Sequence, residues 1–459
     1  MKLIFKFNNR SSLKLYLATK DLHLPTANSP LQIAHCQLIM EVTRDIRFNE
    51  MGNFNTRNLL SNTKGDKVIW ALVVLLALVS LLAVYSATGS LAYKNYKGNT
   101  EIYLFKQVAF IIAGILVVYF AHLVNYTLYS RIATIMFLLV IPLLIYTLFF
   151  GVRMNEGSRW IRLPLVNMTM QTSDLAKLAL FMYLARLLSK KQDVIKSFKK
   201  GFLPVMIPVA IVCLLIAPAN LSTALLLGAS CLMLLFIGRA STKHILITMG
   251  IAMIPILFLI IAAVANHKSG GDEEVVAEKS SSGLFARVET WIGRIENFIY
   301  GGKEADNDEM YQVNQAKIAI AQGGIFGVGP GNSTTRDYLP QAYNDFIFAI
   351  IIEEYGFVGG AFIVFMYLVF LYRCIRIFKR CPYAFGAFLA LGLSFTLAIQ
   401  AIANMAVTVN LFPVTGVTLP LVSMGGSSFI FTCLAIGIIL SVARNVESPA
   451  NFPPNGEEA

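Results

Sequence analysis

The sequence predicts an all-α polytopic membrane protein, on three observations. Apolar runs of roughly 18 or more residues recur from about residue 68 to residue 443, each long enough to span about 30 Å of hydrocarbon as a helix. Only 14% of the 459 residues are charged and 56% are apolar, where soluble chains carry about 25% charge. The basic residues gather in the N-terminal stretch and in short loops, as membrane orientation requires. The net charge of +12 is therefore read as topology, and no nucleic-acid partner is expected.

Residues 1–66 are polar and lack the charged start, apolar core and cleavage site of a signal peptide. They are expected to form a cytoplasmic tail, with Met51 an alternative start. Met51-Gly52 also opens a myristoylation pattern, but an internal one, where chance accounts for it. About ten spans follow, near 68–88, 107–124, 131–150, 174–189, 202–217, 221–238, 245–265, 346–372, 385–409 and 425–443, within a membrane domain covering 67–443. A short cytoplasmic tail, 444–459, ends the chain.

The loops settle the expected orientation. Lys190, Lys191, Lys196, Lys199 and Lys200 lie in one loop, Arg239 and Lys243 in another, Arg373, Arg376, Lys379 and Arg380 in a third. Alternating spans put all three on one side, which is then the cytoplasm. The opposite side receives a long extracytoplasmic loop, 266–345, between helices 7 and 8. It holds twelve of the 26 acidic residues. Within it Leu284, Phe285, Val288, Trp291, Ile292, Ile295, Phe298 and Ile299 repeat at helical spacing. That describes an amphipathic helix, lying on the outer leaflet or packed on other spans. None of the six cysteines (36, 213, 231, 374, 381, 433) falls in this loop, which argues against a disulfide framework. Five scattered histidines offer no metal-ligand spacing.

The stretch Asp337 to Gly356 carries the main chemical question, because a polar loop there runs into an apolar helix with Asp345 at the junction. One reading makes Asp345 the N-cap of a helix beginning at Phe346. The other makes it a general base facing outward, which needs partial burial to offset the helix dipole. Glu353 and Glu354 sit about 12 Å further along a straight helix; at that depth an ion pair inside the bundle is the expected role. Asp174 and Lys177 are three apart and can pair, or Lys177 can face a cavity and offset phosphate charge. Arg159-Trp160-Ile161-Arg162 suits an interfacial anchor equally well. Gly323 to Ser333 is glycine-rich without the strand and lysine of a nucleotide loop, so tight turns near a site are expected. Asn404, the turn Leu411–Pro420 and Ser423–Ser428 are expected to wall an outward cavity, because proline and glycine at membrane depth require buried or cavity-lining backbone.

Taken together these motifs resemble the SEDS (shape, elongation, division, sporulation) family of peptidoglycan polymerases, over about residues 68 to 443. The matching motifs are Tyr311-Gln312-x-x-Gln315, the glycine run, Tyr338-Leu339-Pro340, Asn344-Asp345, Glu353-Glu354-x-Gly356, Asn155, Arg159-Trp160-Ile161, Gln171-x-Ser173-x-x-x-Lys177, Asn404, Pro413-x-Thr415-Gly416 and Gly425 to Ser428. Gly331-Asn332-Ser333 looks more like the division (FtsW) branch than the elongation (RodA) branch. The chain departs from the family at Tyr343-Asn344 (usually His-Thr), at Thr172 and Asp174 (usually Pro-Ser-Glu), at Ala217 to Asn220, where an acidic residue is missing, and at Met424 (usually Tyr).

The resemblance implies a glycosyltransferase that polymerises lipid II, an undecaprenyl-diphosphate-linked disaccharide peptide, on the outer face of the bacterial cytoplasmic membrane during division. Both termini would be cytoplasmic and the site outward. Asp345 would be the catalytic base of an inverting, β-1,4-forming transfer. Lys177, Asp174, Arg159, Trp160, Gln171, Gln315, Asn404 and Ser427 would bind substrate. No cofactor is implied, although a divalent cation is compatible. The expected partners are a class B penicillin-binding transpeptidase and other division-complex proteins. The alternatives are a flippase for the same precursor, a division scaffold without chemistry, or an elongation-type polymerase.

Overall fold

A computed structural model describes residues 65–89, 91, 100–154, 157–162, 169–269, 284–300, 308–340 and 342–447. The N-terminal stretch with Cys36 and Met51, the residues after 447, Asn155 and the acidic groups at 272–274 and 304–306 lie outside the described residues. Ten membrane-length or apolar helices occur where spans are expected: α1 (Lys67–Ala87), α2 (Glu101–Leu123), α3 (Tyr126–Phe150), α4 (Thr172–Lys190), α5 (Leu203–Ile216), α6 (Leu221–Ile237) and α7 (Thr242–Ser269), then, after α8 (Leu284–Tyr300) and α9 (Asp308–Gly323) of the long loop, α10 (Ile347–Arg380), α11 (Ala384–Thr408) and α12 (Ser427–Glu447). Eight are long and apolar enough to cross a membrane, counting α5 with the π turn Phe198–Phe202 before it. Of the other two, α6 is short and α4 carries Asp174, Lys177, Arg186 and Lys190. This is a polytopic helical membrane protein.

α11 is the centre of the bundle. Its membrane stretch is 83% buried, against 6% for α7 at the periphery, and it packs on α4, α6, α10 and α12. The α3–α4 connection adds a small antiparallel meander, β1 (Val152–Met154), β2 (Gly157–Arg162) and β3 (Thr169–Gln171), with Trp160 opposite Gln171. The apolar runs gave no sign of it, because these strands are short and carry no clear alternation. α8 takes the amphipathic stretch of the loop and packs on α7.

Two polar clasps set the height of the bundle. Asp66 caps α1 through Val68 N–H (2.9 Å) and pairs with Arg373 of α10 at 2.6 Å. Twenty residues later on α1, Ser86 donates to Glu354 of α10. At 1.5 Å per residue the two clasps stand about 28–30 Å apart, the thickness of the hydrocarbon.

α10 is not one straight helix. Gly356 breaks it at φ 71°, ψ −172°. In a continuous helix Phe357 and Val358 would donate to the carbonyls of Glu353 and Glu354. Here Phe357 N–H donates to Gly324 O (2.9 Å) and Val358 N–H to Ile325 O (3.2 Å), while Val328 N–H and Gly329 N–H supply Glu353 O and Glu354 O at 2.9 and 3.0 Å. The glycine run is thus wedged into the ladder of α10, and every displaced backbone group finds a partner. The approach needs glycine on both sides: a Cβ on Gly356 would lie 2.2 Å from Ile325 O, and one on Gly327 2.2 Å from Glu354 O.

Candidate active site

Asp345 lies in the turn before α10, and the capping reading of it fails. The helix starts at Ile347 with Phe346 in the capping position and no side-chain cap bond. One aromatic residue between aspartate and helix takes the carboxylate out of reach of the first N–H groups. The backbone around it is fixed instead. Asn404 Nδ2 donates to Asp345 O (2.8 Å) and to Val417 O (2.7 Å). Ser423 Oγ donates to Asn344 O (2.6 Å), and Met424 N–H to Tyr343 O (3.0 Å). Three successive carbonyls are therefore tied to α11 and the 417–424 turn.

The carboxylate itself is left over. Oδ1 is buried without a hydrogen-bond partner. Burial pushes the group up from 3.8 to about 6, with the Arg159 and then the Arg294 guanidinium pulling the other way. Burial raises the Tyr343 phenol as well, helped by Tyr103 and Asp345. Strand β2 aims Arg159 here, and its Nε–H donates to Ala219 O at 2.8 Å, in the break between α5 and α6. Arg294 comes from α8. In the sequence only the apolar face of this helix stands out, and Arg294, on its polar positions, has only its place in the outer loop to mark it.

A cavity of about 320 Å³, open to the outside of the chain, adjoins the two arginines. Arg159 and Arg294 are its cations, Leu259, Trp291 and Phe298 belong to its apolar wall, and Pro413 and Val414 close one side. Of the segments expected to wall it, only Pro413 and Val414 of the 411–420 turn do so, while Asn404 and Ser423–Ser428 do not line it, and α8 forms a wall together with α7. Cations beside an apolar trough suit an anionic headgroup carrying a hydrocarbon chain.

The remaining expected residues divide into two groups. Lys177 Nζ pairs with Asp174 Oδ1 (2.8 Å) and donates to Gln400 Oε1 (3.4 Å), while Gln400 Nε2 donates to Thr418 O (3.0 Å). Lys177 borders two crevices of only about 30 and 10 Å³, room for about one water each, so the ion pair is present and Lys177 lies away from the large cavity. Asp174 Oδ2 is buried and unpartnered. Gln171 and Ser427 join a strand to a helix: Gln171 N–H donates to Ser427 Oγ (3.3 Å) and Gln171 Nε2 to Ser173 Oγ (2.9 Å). Trp160 is half-buried across from Gln171. Gln315 is half-buried on α9 and tied to none of these groups.

Glu353 and Glu354 form no simple ion pair in the bundle. Glu353 is fully buried and accepts from Ser333 Oγ (2.5 Å), Thr334 N–H (3.0 Å), Thr335 N–H (3.2 Å) and Thr335 Oγ1 (3.1 Å). Glu354 accepts from Ser86 Oγ, to which Arg336 Nη1 also donates (3.1 Å). The ion-pair expectation failed because the hydroxyl and N–H groups of Ser333, Thr334 and Thr335 reach Glu353 first, and the Ser86 hydroxyl reaches Glu354.

A family profile described as cell cycle protein, covering FtsW, RodA and SpoVE, matches residues 66–448. A probable peptidoglycan glycosyltransferase FtsW of Trichlorobacter lovleyi is 33% identical over 83% of this chain and 94% of its own. Stage V sporulation protein E of Bacillus subtilis is 31% identical over 83% and 98%. Among solved structures, a chain from a peptidoglycan synthase complex that coordinates polymerization and crosslinking superposes with a TM-score of 0.63 at 21% identity, over 83% of this chain and 98% of that one. The rod shape determining protein RodA of Thermus thermophilus gives 0.57 at 22%, over 83% and 97%. The two structures share the fold.

Proposed function

The chain belongs to the FtsW, RodA and SpoVE family of cell cycle proteins and is a peptidoglycan glycosyltransferase, and from that premise we propose that Asp345 is the general base of the transfer. The observation that carries the reading is a buried carboxylate oxygen without a partner, in the field of two guanidinium groups that line a cavity with an apolar trough. Asp345 takes the proton of the acceptor sugar's 4-hydroxyl as that oxygen attacks the donor's anomeric carbon from the face opposite the lipid diphosphate. The bond to the diphosphate breaks and the configuration inverts, giving a β-1,4 link. Arg159 and Arg294 offset the charge that develops on the leaving diphosphate. Lys177 and Asp174 support the floor of the site through Gln400 and the carbonyl of Thr418, and Asn404 holds the base in place.

The substrate in this reading is lipid II, with its prenyl chain along α7 and α8. Among the described residues no three His, Cys, Asp or Glu side chains converge to hold a metal. A divalent ion would find only Asp345 and the substrate's own diphosphate, and no step is routed through one. The setting is the bacterial cytoplasmic membrane, with the site outward, both termini inside, and a class B penicillin-binding transpeptidase as partner in septal synthesis. Support for the division role comes from Gly331-Asn332-Ser333 and from the FtsW relatives.

The test is polymer synthesis from purified lipid II by the chain with its transpeptidase partner. Asp345→Asn is expected to lose at least ~100-fold while eluting and melting as a folded protein. Undiminished polymer from that variant removes Asp345 as the base.

A further inference from the structure

The loop wedged into α10 carries apolar side chains that stand clear of the bundle. Ile325 is 64% exposed, Phe326 82% and Val328 41%. Apolar side chains clustered on an exposed loop mark a contact surface. The depth of this one is read from its hydrogen bonds. Phe357 N–H donates to Gly324 O and Val358 N–H to Ile325 O, so the tip of the loop lies level with Phe357 and Val358. These follow Glu354 by three and four residues, about 5 Å at helical rise, toward Arg373. The tip is thus just inside the slab that the Ser86–Glu354 and Asp66–Arg373 clasps bracket. It also adjoins a face of α10 turned to lipid, along which Phe357, Phe365 and Leu368 stand exposed.

The backbone of the loop is prepared for that setting. In hydrocarbon each N–H and C=O needs a partner within the protein. Gly324 O and Ile325 O accept from α10, and Gly327 N–H donates to Gly323 O (2.7 Å). Val328 N–H and Gly329 N–H donate to Glu353 O and Glu354 O, and Val328 O accepts from Asn332 Nδ2 (3.2 Å). A loop in water could leave these groups to solvent. Residues 323–333 carry no charged side chain, as burial in lipid requires.

We propose that Ile325, Phe326 and Val328 insert into the leaflet at the Asp345 end of the bundle, and that this contact with acyl chains anchors the glycine run in α10. The glycines let the backbone enter the helix ladder, and the apolar side chains fix the depth at which it enters. The inference is independent of the role given to Asp345.

The test places a tryptophan at the tip. The full-length Phe326→Trp chain is reconstituted in bilayer nanodiscs, and its added emission is read as the difference from the parent, which has three tryptophans. With lipids brominated in the upper part of their acyl chains, the added emission should fall by at least about half, and aqueous iodide should leave it unchanged. Tyr338→Trp, in the exposed stretch before Asp345, is the control and should respond the opposite way. Ile325→Trp repeats the measurement should Phe326→Trp not fold. Iodide quenching at the tip without bromine quenching overturns the proposal. So does bromine quenching that disappears when the transpeptidase partner is added, which would make the patch a protein interface. Phe326→Asp then tests the anchor. A charge at this depth is costly, so polymer synthesis should drop at least ~10-fold relative to Phe326→Leu. Equal activity in these two variants, whatever its level, sinks the inference, while Asp345→Asn bears only on the base.

Discussion

Asp345 is ionised at neutral pH only against its surroundings. Burial favours the protonated acid, and the two arginines recover part of the loss, leaving the group at about 6. A carboxylate in that range is a stronger base than one near 4 and is still mostly deprotonated at pH 7. The sign follows directly. The ionised form is the active one, so activity falls as pH drops through about 6 and is unaffected by this group above pH 7. A profile of kcat/KM against pH between 5 and 8 should show that acid limb. Arg159→Gln removes the larger opposing charge, so the limb should move to higher pH by on the order of one unit, in addition to any loss of rate. A limb near 4, or one that stays put in the Arg159 variant, would contradict the electrostatics. The sequence made Asp345 visible through the jump from polar loop to apolar helix, but left capping and catalysis open. A one-residue offset of the helix start removes the capping reading, and ±1 residue is the limit of reading a boundary from residue types. Arg294 was hidden for another reason: on an amphipathic helix every charge looks like solvent-facing charge until the partner element is known.

The element that organises the outer face is the broken helix α10 with the glycine run wedged into it. Glu353 is the pin of this unit. Its carboxylate takes the N–H groups of Thr334 and Thr335, at the start of the 3-10 turn Thr335–Asp337 that leads toward Asp345. Removing it leaves the buried Thr335 N–H unpaired, at about 1–3 kcal/mol, and the part-buried Thr334 N–H to water. Glu353→Leu should therefore lower the melting temperature in detergent and reduce polymerisation by more than about tenfold. Glu353→Gln keeps an oxygen for both N–H groups and an amide that can donate to the Ser333 hydroxyl, and should retain activity within a few-fold. Equal loss in both variants would point to the charge itself rather than the hydrogen bonds. Here the sequence was legible only in part. The glycines announced close backbone approach, yet a single glycine such as Gly356 is tolerated inside a helix, so the helix reads as straight. What breaks it is a set of four hydrogen bonds to a segment about thirty residues earlier, and such pairing leaves no local signature.

At the scale of the whole molecule, the ten apolar helices were legible because burial in lipid leaves long unbroken runs, and the charges of the loops give the direction in which they point. α4 runs from Gln171 beside the site to Lys190 at the first basic loop; α11 carries Asn404 near its other end from Arg380. The Asp66–Arg373 clasp lies at the basic end and the Ser86–Glu354 clasp at the end that bears Asp345. Every group proposed for catalysis thus sits at the face opposite Lys190–Lys200 and Arg373–Arg380, and the proposed orientation, which follows the positive-inside bias, turns that face outward. The orientation has a direct check in intact cells. Tyr338, a few residues before Asp345, and Lys200, in the basic loop, are both exposed. Tyr338→Cys should react with a membrane-impermeant maleimide added outside, and Lys200→Cys only after the membrane is permeabilised. The reverse pattern would turn the base toward the cytoplasm, where its acid limb would report on the wrong compartment and a polymer extruded outward could not be made at Asp345. Labelling of both from one side would mean that the spans between them do not alternate, and the height set by the two clasps would no longer correspond to a bilayer.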